Sequence, residues 1–356
     1  MSETRTRHNK IDIVKAIGII LMVFYHAGTP GKDFVYLFHM ALFFICSGYC
    51  YSHKSENSPF LYIIRKIKTL YIPCFISGFI VACLQNVFLD IHIYSYDVYS
   101  KLDFSGWLKQ IIKCVAFGGG HQMLGANWFF RTLFFSSVLY MFLNKLLGLT
   151  IKKERELTIV RAIICFILTG IGGYLGETLS FGKYFNFLTV MVLLDIGFIC
   201  KEYQIFNYFN NNFKKIAGIF SGLAILIILS FYGEISINSN LIVNPIYFIV
   251  CSVSGFIMIY LIADYLEHTA LKNRLTFVGQ KSIWILFFHY VGFKLVTLCE
   301  ILVLNEPIQN LSAYPVHHTE NGLWAVYGLC GVFMPLLFVW IGSVIDRTIK
   351  KVKSID

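Results

Sequence analysis

Lys15 and His26 sit inside the apolar run IDIVKAIGIILMVFYHAG, residues 11–28, with ten uncharged residues between them. On a helix, eleven positions at 100° each end about 20° past three full turns, so both side chains share one face, about 16 Å apart along the axis. A cation at one end and an imidazole at the other suit a long, thin ligand lying along that face. Its charged end would rest at Lys15 and its reactive end near His26. Lys15 reads equally as a lysine reaching back to the membrane surface, and Asp12 as a cap for the helix start. For His26 the alternative is a hydrogen-bonded polar tip.

Further polar residues interrupt other apolar runs. His39 lies in DFVYLFHMALFFICSGYCYSH, followed by the small pair Ser47-Gly48, which permits close helix approach. Asn127 and Arg131, four apart in GANWFFRTLFF, share one helix face. Arg131 can bind an anion, pair with a carboxylate or reach headgroups, and Trp128 suits an interfacial aromatic belt. His289 falls in SIWILFFHY; Asp195, Asp264, Lys294 and Glu300 are unassigned and open to structural pairing. Ionisable groups in lipid cost about 2.5–3.5 kcal/mol at a helix centre, so these residues are expected to face a bundle interior and mark function.

The elements that position them follow from composition. Of 356 residues, 57% are hydrophobic and 14% charged, against about 25% charged in an ordinary soluble domain. The deficit runs along the whole length and reads as an all-α polytopic membrane protein, one domain over 1–356, with no soluble domain. The net charge of +10 is distributed in short clusters between apolar runs, which points to topology and not to nucleic acid. Runs of about 20 apolar residues give ten spans: 11–29, 33–52, 69–89, 127–147, 158–176, 184–201, 214–232, 245–266, 281–303 and 322–345. The segment 104–120 carries Trp107, Leu108, Ile111, Ile112 and Val115 at helical spacing but is broken by Lys109 and Lys113, so it is expected along the membrane surface.

Counting Lys and Arg in alternate connections puts 22 on one side, including Arg5, Arg7, Lys10, Arg161 and Lys353, and five on the other. The rich side is expected to be cytoplasmic, with both termini there. The basic N-terminus before an apolar run resembles a secretory signal, but no small-residue cleavage site follows, so an uncleaved first helix is expected. The ten cysteines lie mostly in apolar runs without a CxxC pair and read as buried free thiols. His121, His317 and His318 fall in outer connections and are expected to be solvated; no metal is expected.

Five stretches together resemble the acyltransferase-3 family of bacterial integral-membrane acyltransferases, of the fucose 4-O-acetylase-like type: IDIVKAIGIILMVFYH (11–26), LFHMALFFICSGY (37–49), LYIPCF (70–75), NWFFRTLFF (127–135) and KSIWILFFHY (281–290). Lys15 stands where that family commonly has Arg, and Ala41 where it usually has Pro. No hydrolase-like domain follows the spans in this sequence. The resemblance implies a multi-pass protein of the bacterial cytoplasmic membrane. It implies transfer of an acetyl group from cytoplasmic acetyl-CoA to a hydroxyl of a surface or lipid-linked glycan. In that reading His26, Lys15 and Asp12 are the catalytic residues, with Lys15 at the donor's entry and His26 the general base, an unperturbed imidazole titrating near ~6.5, close to operating pH. His39, Ser47, Asn127, Trp128, Arg131 and His289 are the candidates for substrate binding. A transporter of an anionic metabolite or lipid-linked sugar is the alternative, with Lys15 and Arg131 as binding charges; no internal repeat supports it.

Overall fold

The computed structural model describes residues 9–118 and 121–352, so Arg5, Arg7 and Lys353 of the charge count lie outside the described residues. The chain runs through helices α1 (Asn9–His26), α2 (Lys32–Tyr36), α3 (Ala41–Tyr49), α4 (Lys54–Asn57), α5 (Pro59–Lys66), α6 (Ile72–Asp90), α7 (Phe104–Val115) and α8 (Trp128–Thr150). It continues through α9 (Glu154–Thr178), α10 (Asn186–Thr189), α11 (Met191–Glu202), α12 (Asn212–Leu229), α13 (Pro245–Leu266), α14 (Lys272–Gln280), α15 (Ser282–Leu304) and α16 (Leu323–Val352). Among the described residues the only β-type pairing is one isolated bridge, Ser236 to Leu241. Helices satisfy their own backbone groups, which is what hydrocarbon demands of a spanning segment.

Among the described residues, eight helical stretches are long and apolar enough to cross a membrane, from Pro59–Asp90 to Glu320–Thr348. They correspond to the last eight of the ten expected spans. The first two differ, for separate reasons. Helix α1 carries Lys10, Asp12 and Lys15 within its 18 residues, and it is enclosed by protein: it packs on α3, α13, α14, α15 and α16. Its charges therefore face neighbouring helices and not lipid. The expected second span breaks into α2 and α3 around a turn at 37–40. There the Val35 carbonyl accepts from the Phe38 and His39 backbone N–H groups and from His39 Nδ1. A side chain that competes for a helical carbonyl loosens the turn it sits in.

Other boundaries shift too. The expected start at 69 gives way to a continuous helical stretch from Pro59, which passes through a π-type turn at Ile67–Tyr71 just before Pro73. Proline lacks an N–H and crowds the carbonyl four residues back, and the wider turn accommodates both. Helix α7 forms as expected but runs antiparallel along α6, with Trp107 Nε1 donating to the Ala82 carbonyl at 3.1 Å and Tyr71 Oη to Val115 at 2.9 Å. It thus has a helical partner along its length.

Burial grades the bundle: 67% of the apolar stretch of α15 is buried, against 17% of α12, whose Phe213, Phe220 and Ile228 face outward. Small residues set the tightest contacts. A Cβ on Gly48 would overlap the Leu194 carbonyl, and one on Gly197 the Ile45 carbonyl, so α3 and α11 touch backbone to backbone, as the Ser47-Gly48 pair led us to expect. Arg161, counted above among cytoplasmic connections, is instead buried inside the bundle at 1% exposure. It donates to Asp195 at 2.5 Å and to Asn144 at 3.2 Å, and its guanidinium lies over the Phe198 ring. A full charge at that depth needs a carboxylate, and α11 supplies it. Asp264 likewise pairs with Lys10 and Lys215, whereas Lys294 donates to the Leu311 and Ala313 carbonyls. The ten cysteines are free thiols, five of them buried.

Candidate active site

The N-terminal end of α1 is fixed by α14. Gly279 lies so close to α1 that a Cβ there would overlap the Asp12 carbonyl. At that contact Lys15 Nζ donates to Asp12 Oδ1 at 2.6 Å, and Gln280 Nε2 to Asp12 Oδ2 at 3.4 Å. Asp12 is buried and the Lys15 side chain is 28% exposed. The pair is therefore a neutralised unit with its cation still reachable. Because α1 is one unbroken helix from Asn9 to His26, the rise from Lys15 to His26 is about 16 Å.

At the other end of α1 three histidines gather. The His26 ring stacks on His289 at 5.5 Å between centroids, with planes 27° apart. His39 reaches the same cluster through Tyr25, which stacks on His39 at 5.5 Å and on Tyr36 at 4.5 Å and lies edge-on to His26 at 5.2 Å. Both flanking imidazoles are oriented by backbone. His39 Nδ1 donates to Val35 at 2.9 Å, and His289 Nδ1 to Leu286 at 2.9 Å. Those bonds place the proton on Nδ1 and leave each Nε2 with a bare lone pair. His289 Nε2 is buried and has no hydrogen-bond partner among the described residues. His26 itself is partly exposed, although it is ringed by Tyr25, His289 and Tyr290.

Loops close over this cluster. Tyr314 Oη donates to Tyr290 Oη at 2.8 Å, and Tyr290 Oη lies 3.5 Å from His26 Nδ1. Lys294 anchors the same loop through the Leu311 and Ala313 carbonyls. A Cβ on Gly125 would lie 2.6 Å from Tyr314 Oη and 3.1 Å from Tyr290 Oη, so the turn before α8 also presses on the tyrosine pair.

The sequence candidates thus divide. His26, His39 and His289 converge, and Lys15 with Asp12 forms a separate pair at the opposite end of α1. Ser47 lies on α3 with part of its surface accessible. Asn127, Trp128 and Arg131 go elsewhere: none of their hydrogen bonds or ring contacts reaches a histidine of the cluster. Asn127 Nδ2 lies 3.5 Å from Ser77, Trp128 stands edge-on to Phe129, and Arg131 donates to the Lys183 carbonyl and covers the Tyr184 ring at 4.5 Å. The α8 face toward α15 carries Phe130, stacked on Phe287. Sequence reasoning passed over Tyr25, Tyr36, Tyr290 and Tyr314. Tyr25 and Tyr290 adjoin His26 and His289 in sequence, which is a visible signal; nothing local points to Tyr314.

Such a lipid-facing helical bundle, enclosing a polar histidine cluster, is a multi-pass membrane protein with an internal site. A family model described as an acyltransferase domain, acyltransferase-3, matches residues 8–344. The chain belongs to that family and is a membrane acyltransferase. Comparison with curated proteins and with solved structures gives no match. Membership in an acyltransferase family removes the support for the transporter alternative.

Proposed function

We propose that this protein transfers an acetyl group from cytoplasmic acetyl-CoA to a hydroxyl of an extracytoplasmic or lipid-linked glycan in the bacterial cytoplasmic membrane, with His26 as general base. The observation that carries this reading is the cluster of a partly exposed His26 with the buried His39 and His289 at the end of α1 opposite the Lys15–Asp12 pair. A helix-length separation between a reachable cation and an imidazole matches a donor whose anionic nucleotide stays at one end while its thioester reaches the other. A cleft of about 450 Å³ lined by Lys10, Lys215, Asp264, Asn207, Asn210 and Tyr260 opens near the start of α1, with Asp264 paired to both lysines.

In the reaction the acceptor hydroxyl oxygen attacks the thioester carbonyl carbon while a His26 ring nitrogen takes its proton. A positioned base contributes about 10²–10⁴-fold. The tetrahedral oxyanion then collapses, the C–S bond breaks, and the proton passes from His26 to the departing thiolate. When His26 Nδ1–H donates to Tyr290, Nε2 is the free base. The tyrosine hydroxyls are the donors nearest the base for the developing oxyanion. With Nδ1 donating to backbone, the Nε2 atoms of His39 and His289 keep their lone pairs as acceptors inside the cluster.

The test is acetylation of surface glycans in cells expressing the native protein or His26→Ala at equal membrane abundance. Mass spectrometry should find one added acetyl group with the native protein and none with the variant. Full acetylation by His26→Ala would remove the assigned base.

A further inference from the structure

The segment between α15 and α16 brings together three side chains that the acyl-transfer reading does not use. His317 Nε2 lies 2.6 Å from Glu306 Oε2, His318 Nε2 lies 3.2 Å from Glu306 Oε1, and the two imidazole centroids are 3.9 Å apart. One ligand atom from each residue falls within 4.8 Å of the others. The sequence led us to expect these histidines to be solvated; they are instead partly buried, with His317 at 16% side-chain exposure. A second cluster, Asp264 with Glu267 and His268, has similar compactness. There, however, Lys10 approaches both carboxylates and Lys215 holds Asp264, so cations of the protein already fill the space. Around Glu306 the partners are His317, His318 and Asn310.

We propose that Glu306, His317 and His318 form a binding site for a divalent transition-metal ion of the zinc type. Two imidazoles and one carboxylate are a donor set that suits zinc, with a fourth position left for water. Ligand atoms at about 2.0–2.2 Å from a tetrahedral ion stand about 3.3 Å apart. His318 Nε2 already has that spacing from Glu306 Oε1, and His317 Nε2, which faces the other carboxylate oxygen Oε2, reaches it by opening roughly 0.7 Å. Outer partners are also present: Asn310 Nδ2 donates to Glu306 Oε2 at 3.0 Å, and Glu320 Oε2 lies 3.8 Å from His318 Nδ1. Contacts of this kind orient metal ligands. A bound ion would tie residue 306 to residues 317 and 318, closing the loop that carries Tyr314 onto Tyr290. The site would then act as a clasp on the cover above His26.

The experiment is isothermal titration of the chelator-stripped, full-length protein in nanodiscs with Zn²⁺, and with Mg²⁺ for comparison. One Zn²⁺ per chain should bind with micromolar or tighter affinity while Mg²⁺ gives no heat. Glu306→Gln and the double variant His317→Asn/His318→Asn should each weaken Zn²⁺ binding at least about tenfold. Co²⁺ in place of Zn²⁺ should give the visible absorption of a four-coordinate site in the native protein. No stoichiometric Zn²⁺ binding by the native protein, or equal affinity in native protein and monodisperse variants, would overturn the proposal. Neither result depends on acyl transfer.

Discussion

The hydroxyl of Tyr314 donates to that of Tyr290 across 2.8 Å, joining the loop between α15 and α16 to the helix that carries His289. Tyr290 in turn lies 3.5 Å from His26 Nδ1. The loop therefore touches the proposed base through one phenol. Tyr290→Phe keeps the ring packing against His26 and His289 but removes that oxygen. We expect kcat to fall about tenfold or more with the KM for acetyl-CoA little changed, as measured with purified protein. A rise in KM alone would place Tyr290 in donor binding instead.

Lys15 and Asp12 supply the second prediction. Replacing Lys15 by Met leaves the buried Asp12 carboxylate without its nearest ammonium, which should cost about 1–3 kcal/mol of stability. Adding Asp12→Asn removes the excess charge, so the double variant should recover most of that loss in thermal unfolding. The KM for acetyl-CoA should stay raised in both. Recovery of KM in the double variant would mean that Lys15 serves only to neutralise Asp12.

Gly279 tests the seat of α1. Its Cα faces the Asp12 carbonyl with no space for a methyl group, so Gly279→Ala must push α14 away from α1. A destabilisation of about 1–3 kcal/mol is expected, read as a lower unfolding temperature in detergent, with reduced activity because Gln280 and the Lys15–Asp12 pair move with it.

His121 makes a pH prediction. It is 2% exposed and lies nearly parallel to Tyr94 and Tyr99, with ring planes 10° and 9° apart. Burial, with Lys113 nearby, pushes its imidazole down from 6.5 to about 4. The unfolded chain therefore takes up the proton first on acidification. The contribution is fully present above about 6.5 and is lost as pH falls toward 4, by up to about 3 kcal/mol. Thermal unfolding should weaken across that window, and His121→Phe should flatten the dependence.

What the sequence made legible follows physical range. Helix α13 begins and ends where expected, because Asn244 caps it by accepting from the Tyr247 N–H and Pro245 opens it. The shared face of Lys15 and His26 came from helical periodicity alone. Helix α14 was missed: nine residues with Lys272, Asn273 and Arg274 at its start carry no spanning signal, and its partner α1 is distant in sequence. The break at His39 depends on a side chain competing for one carbonyl, which periodicity does not register. Arg131 stands out in the sequence as an intramembrane cation, and its neighbours Lys183 and Tyr184 are distant in sequence. Which helix faces which was the missing information throughout.

The central claim is that the His26 imidazole moves the acceptor's proton. Purified protein in nanodiscs, given acetyl-CoA and a hydroxyl acceptor extracted from the cell surface, should transfer acetyl groups. His26→Gln should lower kcat at least about 10²-fold while the protein still binds acetyl-CoA with native affinity and unfolds at the native temperature. Transfer at the native rate by that correctly folded variant would contradict the account.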